Sequence, residues 1–147
     1  MNTKKQIIGY TTGVFDLFHI GHLNILKRAK SMCDYLIVGV STDENVYSYK
    51  HRYPVIPYNQ RAEIIRSLKY VDEVVPQENM DKVAAWERLH FDRIFHGDDW
   101  KDAELYIKTK QSLESKGVEV IYFPYTKSVS TSDIKKAIIN NTTITEQ

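Results

Sequence analysis

The sequence has little of what disulfide-stabilised, fibrous or membrane-spanning proteins need. Cys33 is the single cysteine in 147 residues, so no intramolecular disulfide can form. There are only six glycines and four prolines, which excludes collagen-like and low-complexity chains. No apolar run is long enough to cross a bilayer, and the first residues contain no signal-peptide core. We therefore expect a cytoplasmic protein.

The chain also lacks an excess of charge of either sign. Twenty Lys and Arg residues balance nineteen Asp and Glu residues, for a formal net charge of +1. We therefore expect neither nucleic acid nor a membrane surface as a partner, and any bound phosphate must be held by local groups. The length and the 42% hydrophobic content suit a single globular domain over residues 1–147, with a folded core over about 6–139 and a frayed tail at 140–147.

Apolar runs typical of strands alternate with helical patterns along the chain. The patterns predict strands at 6–11, 34–41, 71–75, 93–96 and 118–123, and helices at 23–29, 59–69, 81–89, 103–115 and from Ser130 or Ser132 onward. The second strand is almost continuously apolar, which is typical of a strand buried on both faces, and a loop with Pro54 and Pro57 is predicted after it. This alternation predicts an α/β protein with a Rossmann-like, three-layer α/β/α fold and a parallel sheet.

The richest group of candidate functional residues spans 13–22, where the first strand should turn into the first helix. Ligands bind at the carboxyl ends of strands in such sheets, and a helix N-terminus offers N–H groups and partial positive charge to phosphate. His19 and His22 would share one face of the helix, and Gly21 would let a phosphate chain approach the backbone. Alternatively, one histidine caps and the other packs, or the pair is half of a metal site. Neither alternative explains the glycines, and no further ligand at suitable spacing supports zinc.

These residues resemble a known signature. His19-Ile20-Gly21-His22, preceded by Gly13-Val14-Phe15-Asp16, resembles the HxGH motif of the nucleotidyltransferase superfamily and in particular of the cytidylyltransferases. Further motifs follow in the order seen in glycerol-3-phosphate cytidylyltransferases: Ser41-Thr42-Asp43-Glu44, Arg61, Tyr70-Val71-Asp72-Glu73-Val74, Gly97-Asp98-Asp99-Trp100 and Ser130-Thr131-Ser132. The resemblance extends over residues 7–138, and the ordered set is far more specific than a lone HxGH motif.

The resemblance implies an enzyme that condenses CTP, accompanied by Mg²⁺, with glycerol 3-phosphate or a related alcohol phosphate. The products would be a CDP-alcohol, of the kind used in bacterial surface polymers, and pyrophosphate. The attacking phosphate oxygen is already ionised at neutral pH, so the protein needs no covalent nucleophile. It must position the substrates, screen their charge and stabilise the pentacovalent phosphorus. The resemblance also implies a homodimer, with Mg²⁺ held through the triphosphate and not by fixed protein ligands.

The resemblance assigns catalytic roles to four residues. His19 and His22 would contact the triphosphate and the transition state. Lys50, in the loop after the second strand, and Arg61, where a helix opens, would contact phosphate; a guanidinium suits bidentate contact. Lys50 and Arg61 could instead be exposed surface cations. Asp16, Lys50 and Arg61 are also implied to bind the acceptor substrate.

A larger set of residues is implied to bind the nucleotide. Asp98 would lie at the base, where its carboxylate can accept from the amino group of cytosine and would repel O4 of uracil. Ser130, Thr131 and Ser132 would cap the last helix and offer hydroxyl and N–H groups to the triphosphate, although capping alone is an alternative. The full set is Gly13, Val14, Phe15, His19, Gly21, His22, Asp98, Tyr125, Thr126, Lys127, Ser130, Thr131 and Ser132.

The sequence departs from the family pattern in three places. The stretch Tyr125-Thr126-Lys127-Ser128 stands where the family usually has Arg-Thr-Glu-Gly, so an arginine that contacts the nucleotide is missing. Lys127 could supply positive charge, but without the planar fork of arginine. Met80 replaces a tryptophan, and Lys69 replaces an arginine. These changes concern the acceptor and the nucleotide affinity more than the type of reaction.

Other functions therefore stay open. The acceptor could be phosphocholine, phosphoethanolamine or a polyol phosphate, or the enzyme could transfer an adenylyl group to FMN or phosphopantetheine. Outside the enzymes, the missing arginine suggests a catalytically weak nucleotide-binding scaffold. The presence of His19, His22 and Lys50 argues against that scaffold.

Overall fold

The computed structural model describes residues 5–97, 104–124 and 130–144. Strands and helices alternate within these ranges. The elements in chain order are β1 (Ile8–Gly13), α1 (Ile20–Ser31), β2 (Tyr35–Ser41), α2 (Asp43–Lys50), α3 (Tyr58–Arg66), β3 (Glu73–Gln77), α4 (Lys82–Leu89), β4 (Arg93–Gly97), α5 (Glu104–Ser115), β5 (Glu119–Phe123) and α6 (Thr131–Asn140).

The five strands form one parallel sheet in the order β3-β2-β1-β4-β5. The chain moves outward from β1 to β2 and β3, and then returns to place β4 on the other side of β1. The strand order therefore reverses between β1 and β4. In open α/β sheets the connections leave in opposite directions at such a point and open a crevice at the carboxyl ends of the strands. The predicted Rossmann-like fold with a parallel sheet is confirmed.

Both faces of the sheet are covered, as the apolar character of the second strand predicts. Leu36, Val38 and Val40 of β2 pack in one hydrophobic cluster with side chains of α1 and α3. Tyr35 and Ile37, on the opposite face of the same strand, pack in a second cluster with side chains of α4 and α5. Because successive side chains of a strand point to opposite faces, β2 contributes to both layers.

The prediction was wrong about the segment after β2, where the structure has a helix in place of the start of a loop. Thr42 is the N-cap of α2, and its side chain accepts a hydrogen bond from the backbone N–H of Asn45. Asp43 and Glu44 lie in the first turn, where negative charge stabilises a helix. Lys50 is consequently the last residue of a helix and not a loop residue. The capping signal was present in the sequence.

Two other features bear on the site. The strand predicted at 71–75 is β3, which lies two residues later and includes Pro76; an edge strand tolerates proline because one of its sides has no ladder. The last helix begins after Ser130, one of the two predicted starting points. No helix in the described ranges is long and apolar enough to cross a membrane.

Candidate active site

The turn that follows β1 has a strained backbone and is held in place by hydrogen bonds from a distant segment of the chain. Phe15 and Leu17 have φ values of 57° and 50°, in the left-handed region that non-glycine residues rarely adopt. Asp16 lies between them and is only 5% exposed. Its carboxylate accepts hydrogen bonds from the backbone N–H groups of Val55 at 2.8 Å and Ile56 at 2.9 Å. In this structure Asp16, predicted to bind substrate, fastens the turn to the loop before α3.

His19 and His22 cap the N-terminus of α1 reciprocally. His19 Nδ1 accepts from the backbone N–H of Gly21 at 3.0 Å, and His22 Nδ1 accepts from the backbone N–H of His19 at 3.2 Å. The two rings stack with their centroids 3.8 Å apart. Since Nδ1 accepts in both rings, each neutral imidazole carries its proton on Nε2. Both histidines therefore act as caps, and the capping hydrogen bonds orient two Nε2–H donors.

The histidines are uncharged at neutral pH in the free protein. Burial lowers the pKa of His19. Burial and the neighbouring His19 lower the pKa of His22 to about 3, although the Asp16 carboxylate acts in the opposite direction. A bound phosphate would favour the protonated form, because nearby negative charge raises the pKa of an imidazole.

Two residues predicted at the nucleotide have packing roles in the turn. The ring of Phe15 is buried and meets the ring of His22 edge-on, with the centroids 5.5 Å apart. A Cβ at Gly13 would come within 2.9 Å of the Phe15 ring. Glycine at position 13 therefore lets Phe15 pack beneath the histidines. Any contact of Phe15 with a nucleotide would involve its backbone.

Arg61 is 1% exposed, so the alternative of an exposed surface cation is wrong. Its Nε donates to the carbonyl of Ile56 at 2.8 Å, and its Nη1 donates to the carbonyls of Val14 at 2.6 Å and Ser41 at 2.8 Å. Its Nη2 donates to the carboxylate of Asp43 at 2.7 Å. Four of the five guanidinium N–H bonds are thus used within the protein. Arg61 ties together the ends of β1 and β2 and the loop before α3.

A small basic pocket of about 60 Å³ lies beside the turn. Lys50, Arg52 and Lys135 line it together with Thr131 and Ser132. Burial lowers the pKa of Lys50, and the nearby charges of Arg52 and Lys135 lower it further. Three clustered cations favour an anionic ligand. Sequence reasoning missed Lys135, which follows the Ser-Thr-Ser cap by one helical turn.

The N-terminus of α6 reaches the N-terminus of α1 at this pocket. Thr131 Oγ1 donates to the carbonyl of Asp16 at 3.0 Å and lies 3.5 Å from His19 Nε2. The Ser130 side chain accepts from the backbone N–H of Asp133 at 3.1 Å and caps α6. Two helix N-termini, each with free N–H groups and a partial positive charge, therefore face the same space.

A larger crevice of about 240 Å³ opens between the carboxyl ends of β1 and β4. Gly13, Val14 and Lys50 line one part of it, and His96 and Gly97 line another. Burial and the nearby Lys82 lower the pKa of His96 to about 3. A groove of about 520 Å³ along α1 beside Phe123 is larger but contains none of the predicted site residues.

Sequence reasoning missed Lys82 and His96. Lys82 is the first residue of α4 and is almost completely buried, with its Nζ 2.6 Å from Thr12 Oγ1. Nothing in the helical pattern distinguishes it from a surface lysine. The predicted residues Asp98, Tyr125, Thr126 and Lys127 lie outside the described residues. Within the described ranges, no group of three or more His, Cys, Asp or Glu side chains could hold a metal ion.

Known proteins are similar to this chain in sequence and in fold. The family model described as "Cytidylyltransferase-like" matches residues 10–137. The glycerol-3-phosphate cytidylyltransferase of Bacillus spizizenii is 40% identical over 134 residues, which cover 90% of this chain and 95% of the relative. The FAD synthase of Pyrococcus horikoshii is 41% identical over 132 residues, which cover 85% of each chain.

A solved structure agrees with these sequence relatives. The lipopolysaccharide core biosynthesis protein from Thermoplasma volcanium superposes with a TM-score of 0.70 at 28% identity, covering 81% of this chain and 97% of that one. The family match spans most of the chain and includes both histidines, the N-cap Ser130 and the first seven residues of α6. The chain therefore belongs to the cytidylyltransferase-like family and is a nucleotidyltransferase.

Proposed function

We propose that the protein transfers the cytidylyl group of CTP to glycerol 3-phosphate, or to a related small alcohol phosphate. The observation that carries this proposal is the meeting of His19, His22 and Thr131 at two helix N-termini beside the basic pocket. That arrangement suits a triphosphate. The choice of CTP and of the acceptor rests on the similarity to glycerol-3-phosphate cytidylyltransferases.

In the proposed reaction an oxygen of the acceptor phosphate attacks the α-phosphorus of CTP. A new P–O bond forms, the bond from the α-phosphorus to the β-phosphate oxygen breaks, and pyrophosphate leaves with the electron pair. The Nε2–H groups of His19 and His22 donate to α-phosphate oxygens as negative charge develops there, and the α1 N-terminus adds its dipole. Mg²⁺ enters as the complex with CTP and is part of the substrate.

The basic pocket suits one of the two phosphate groups of CTP that leave as pyrophosphate. Its volume of about 60 Å³ corresponds to roughly two water molecules in the liquid, so it holds one phosphate group and little more. Lys50 lines both this pocket and the crevice. Its ammonium group can therefore contact the phosphates that leave as well as the reacting centre.

A second candidate function is adenylyl transfer from ATP to FMN. The similarity to archaeal FAD synthases, at 36–41% identity over at least 83% of this chain, favours it. The role proposed for Asp98 does not distinguish the candidates, because cytosine and adenine both carry an exocyclic amino group that can donate to a carboxylate. A homodimer, a cytoplasmic location and a place in surface-polymer synthesis remain part of the first proposal.

A substrate matrix tests the proposal. Pyrophosphate release would be measured with Mg²⁺ for CTP, ATP, UTP and GTP, each against glycerol 3-phosphate, phosphocholine, phosphoethanolamine, ribitol 5-phosphate and FMN. We expect turnover with CTP and glycerol 3-phosphate. Turnover confined to ATP and FMN would replace the first candidate by the second. No turnover with any pair, from folded protein that binds a nucleotide, would favour the scaffold.

A further inference from the structure

Met80 lies at the wall of the crevice with two amide groups at its sulfur atom. The residue is 38% exposed and lines the crevice. Gln77 Nε2 donates to Met80 Sδ at 3.6 Å, and Asn45 Nδ2 donates to the same sulfur at 3.8 Å. Met80 is also one of the places where the sequence departs from the family pattern, which has a tryptophan there. The role of this sulfur atom is therefore a question about this chain in particular.

Ser41 holds the two amide groups in this orientation. Asn45 Nδ2 donates to Ser41 Oγ at 2.8 Å, and Ser41 Oγ donates to the side-chain carbonyl of Gln77 at 3.1 Å. Because that carbonyl faces Ser41, the NH₂ group of Gln77 faces Met80. Ser41, Asn45 and Gln77 are all buried, the last being the most exposed of them at 6%. The two N–H donors are thus fixed beside the sulfur by the packing of β2, α2 and β3.

A thioether is a poor match for two such donors. Buried N–H groups ordinarily have good acceptors, and thioether sulfur accepts only weakly. The nitrogen-to-sulfur distances of 3.6 and 3.8 Å leave room for one more atom at the side of the sulfur. An oxygen bonded to the sulfur can lie near the distance of about 2.9 Å that N–H···O bonds prefer. A sulfoxide would therefore make stronger hydrogen bonds to Asn45 and Gln77 than the thioether does.

The other sulfur atoms of the described residues are in settings that favour oxidation less. Met32 is less exposed than Met80 and packs against the hydrophobic cluster that includes Leu36. Burial raises the pKa of the Cys33 thiol. Little thiolate is then present at neutral pH, and susceptibility of cysteine to oxidation follows its thiolate character. Met80 is the most exposed of these three sulfur-containing residues.

We propose that Met80 is a reversible oxidation site, at which hydrogen peroxide converts the thioether to a sulfoxide held by the amide groups of Asn45 and Gln77. A sulfur lone pair forms the S–O bond, and the O–O bond of the peroxide breaks. Its electron pair leaves with the departing hydroxide, which takes the proton of the transferred oxygen and becomes water. Sulfur loses two electrons and the peroxide gains them. Gln77 also lines the crevice and donates to the transferred oxygen as negative charge develops there.

Oxidation at this position changes a wall that Met80 shares with Lys50 and His96. A flexible apolar side chain becomes polar, chiral and fixed by hydrogen bonds. Resting on the proposed transfer reaction, we expect the sulfoxide to lower its rate, because misplacement of substrates by about 1 Å can cost up to about 10²-fold. Methionine sulfoxide reductases, which act on the two sulfoxide epimers, should restore the rate.

Peptide mapping tests the site without any turnover. The folded protein would be treated with hydrogen peroxide, and the sulfoxide at Met80 and Met32 would be followed over time by mass spectrometry. We expect Met80 to be oxidised first. Exposure alone would give the same order, so the role of the amide groups needs variants of their own.

Gln77→Leu and Asn45→Leu each remove one donor at the sulfur. Loss of one hydrogen bond to the developing sulfoxide should slow the oxidation of Met80 about 2- to 10-fold in either variant. Gln60→Leu, the same substitution at an exposed position of α3, is the matched control and should keep the wild-type rate. The two test positions lie on β3 and α2, so one variant remains a test if the other does not fold.

Thermal unfolding gives a second readout that exposure alone would not change. Each protein would be compared with its own oxidised form. Oxidation of methionine usually disrupts packing, but in the wild type the new hydrogen bonds offset that loss. The change in Tm on oxidation should therefore be about 2–4 °C more favourable in the wild type than in Gln77→Leu, the shift expected from one hydrogen bond in a chain of this size.

The outcomes separate this proposal from the proposed function. Oxidation of Met32 before Met80 would overturn the site, and so would wild-type oxidation rates and equal changes in Tm in the folded variants. If the untreated wild type transfers nothing, the proposed function fails, and mapping and unfolding still decide the oxidation site. If the wild type transfers from CTP at the same rate before and after complete oxidation of Met80, the effect on the crevice is overturned and the proposed function stands.

Discussion

His19 and His22 each accept a backbone N–H at Nδ1, and their rings stack 3.8 Å apart at the start of α1. This reciprocal capping fixes the Nε2–H tautomer in both rings. The same contacts that begin the helix therefore present two donors to the space beside the basic pocket. Capping uses Nδ1 and the proposed catalytic role uses Nε2, so substitutions can separate them.

His19→Asn and His19→Gln make that separation. The asparagine side chain can accept from Gly21 as Nδ1 does, and asparagine is a good N-cap, so His19→Asn should keep the wild-type stability. It lacks a donor at the position of Nε2, and kcat should fall by about 10²- to 10³-fold. His19→Gln places an amide near Nε2 and should keep more activity than His19→Asn but less stability. Steady-state rates and thermal unfolding check both variants; the opposite ranking of activities would contradict the assignment.

We expect Arg61 to contribute more to the stability of the fold than to the chemical step. Arg61→Lys keeps the charge but cannot donate to the carbonyls of Val14, Ser41 and Ile56 together. Unsatisfied buried groups should lower the free energy of unfolding by about 2–4 kcal/mol. The matched control is Arg66→Lys on the same helix, whose exposed ion pair with Glu63 contributes below about 1 kcal/mol. Urea unfolding gives both values. Lost activity with unchanged stability would mean that Arg61 acts on phosphate directly.

The basic pocket predicts an effect on pyrophosphate. Lys135→Met removes one of the three cations and should weaken product inhibition by pyrophosphate about 10-fold, because a charge-assisted contact is lost. Lys136→Met, its exposed neighbour on α6, is the control. Inhibition constants would be measured at low and high salt. An equal change in both variants would show that only the general charge of α6 matters.

His96 predicts a dependence of stability on pH. The folded protein excludes the imidazole proton down to a pKa of about 3, whereas the unfolded chain accepts it below about pH 6.5. The unfolded state therefore binds more protons between these values, and the free energy of unfolding falls as the pH falls. His96→Phe removes this contribution, so its stability should decline less steeply from pH 6.5 to 4.5. Parallel curves for wild type and variant, measured by urea unfolding, would contradict the assignment.

Sequence patterns predicted the fold because its signals are local or periodic. The apolar run from Tyr35 to Ser41 indicated a strand buried on both faces, and the structure confirms it. The helix α2 was not predicted although Thr42 is an ordinary N-cap, because its eight residues show no apolar stripe and only Asn45 and Val46 are buried. This helix places Lys50 at a helix C-terminus and not in a loop.

The burial of single polar residues could not be predicted in the same way. Arg61 and Lys82 occupy helix positions where exposed cations are common, and their burial depends on partners far away in the sequence, such as Val14 and Thr12. Lys135 lies in the basic pocket because α6 packs against the turn after β1. Such relationships arise from tertiary packing, which a single sequence does not display.

Isotope transfer tests the central claim most directly. Glycerol 3-phosphate carrying ¹⁸O in its non-bridging phosphate oxygens would be incubated with CTP, Mg²⁺ and the wild-type protein, and the products analysed by ³¹P NMR and mass spectrometry. Direct attack on the α-phosphorus predicts CDP-glycerol that retains all of the label, one labelled oxygen bridging the two phosphorus atoms, together with unlabelled pyrophosphate. Label in the pyrophosphate, or no CDP-glycerol from protein that binds CTP, would contradict the account.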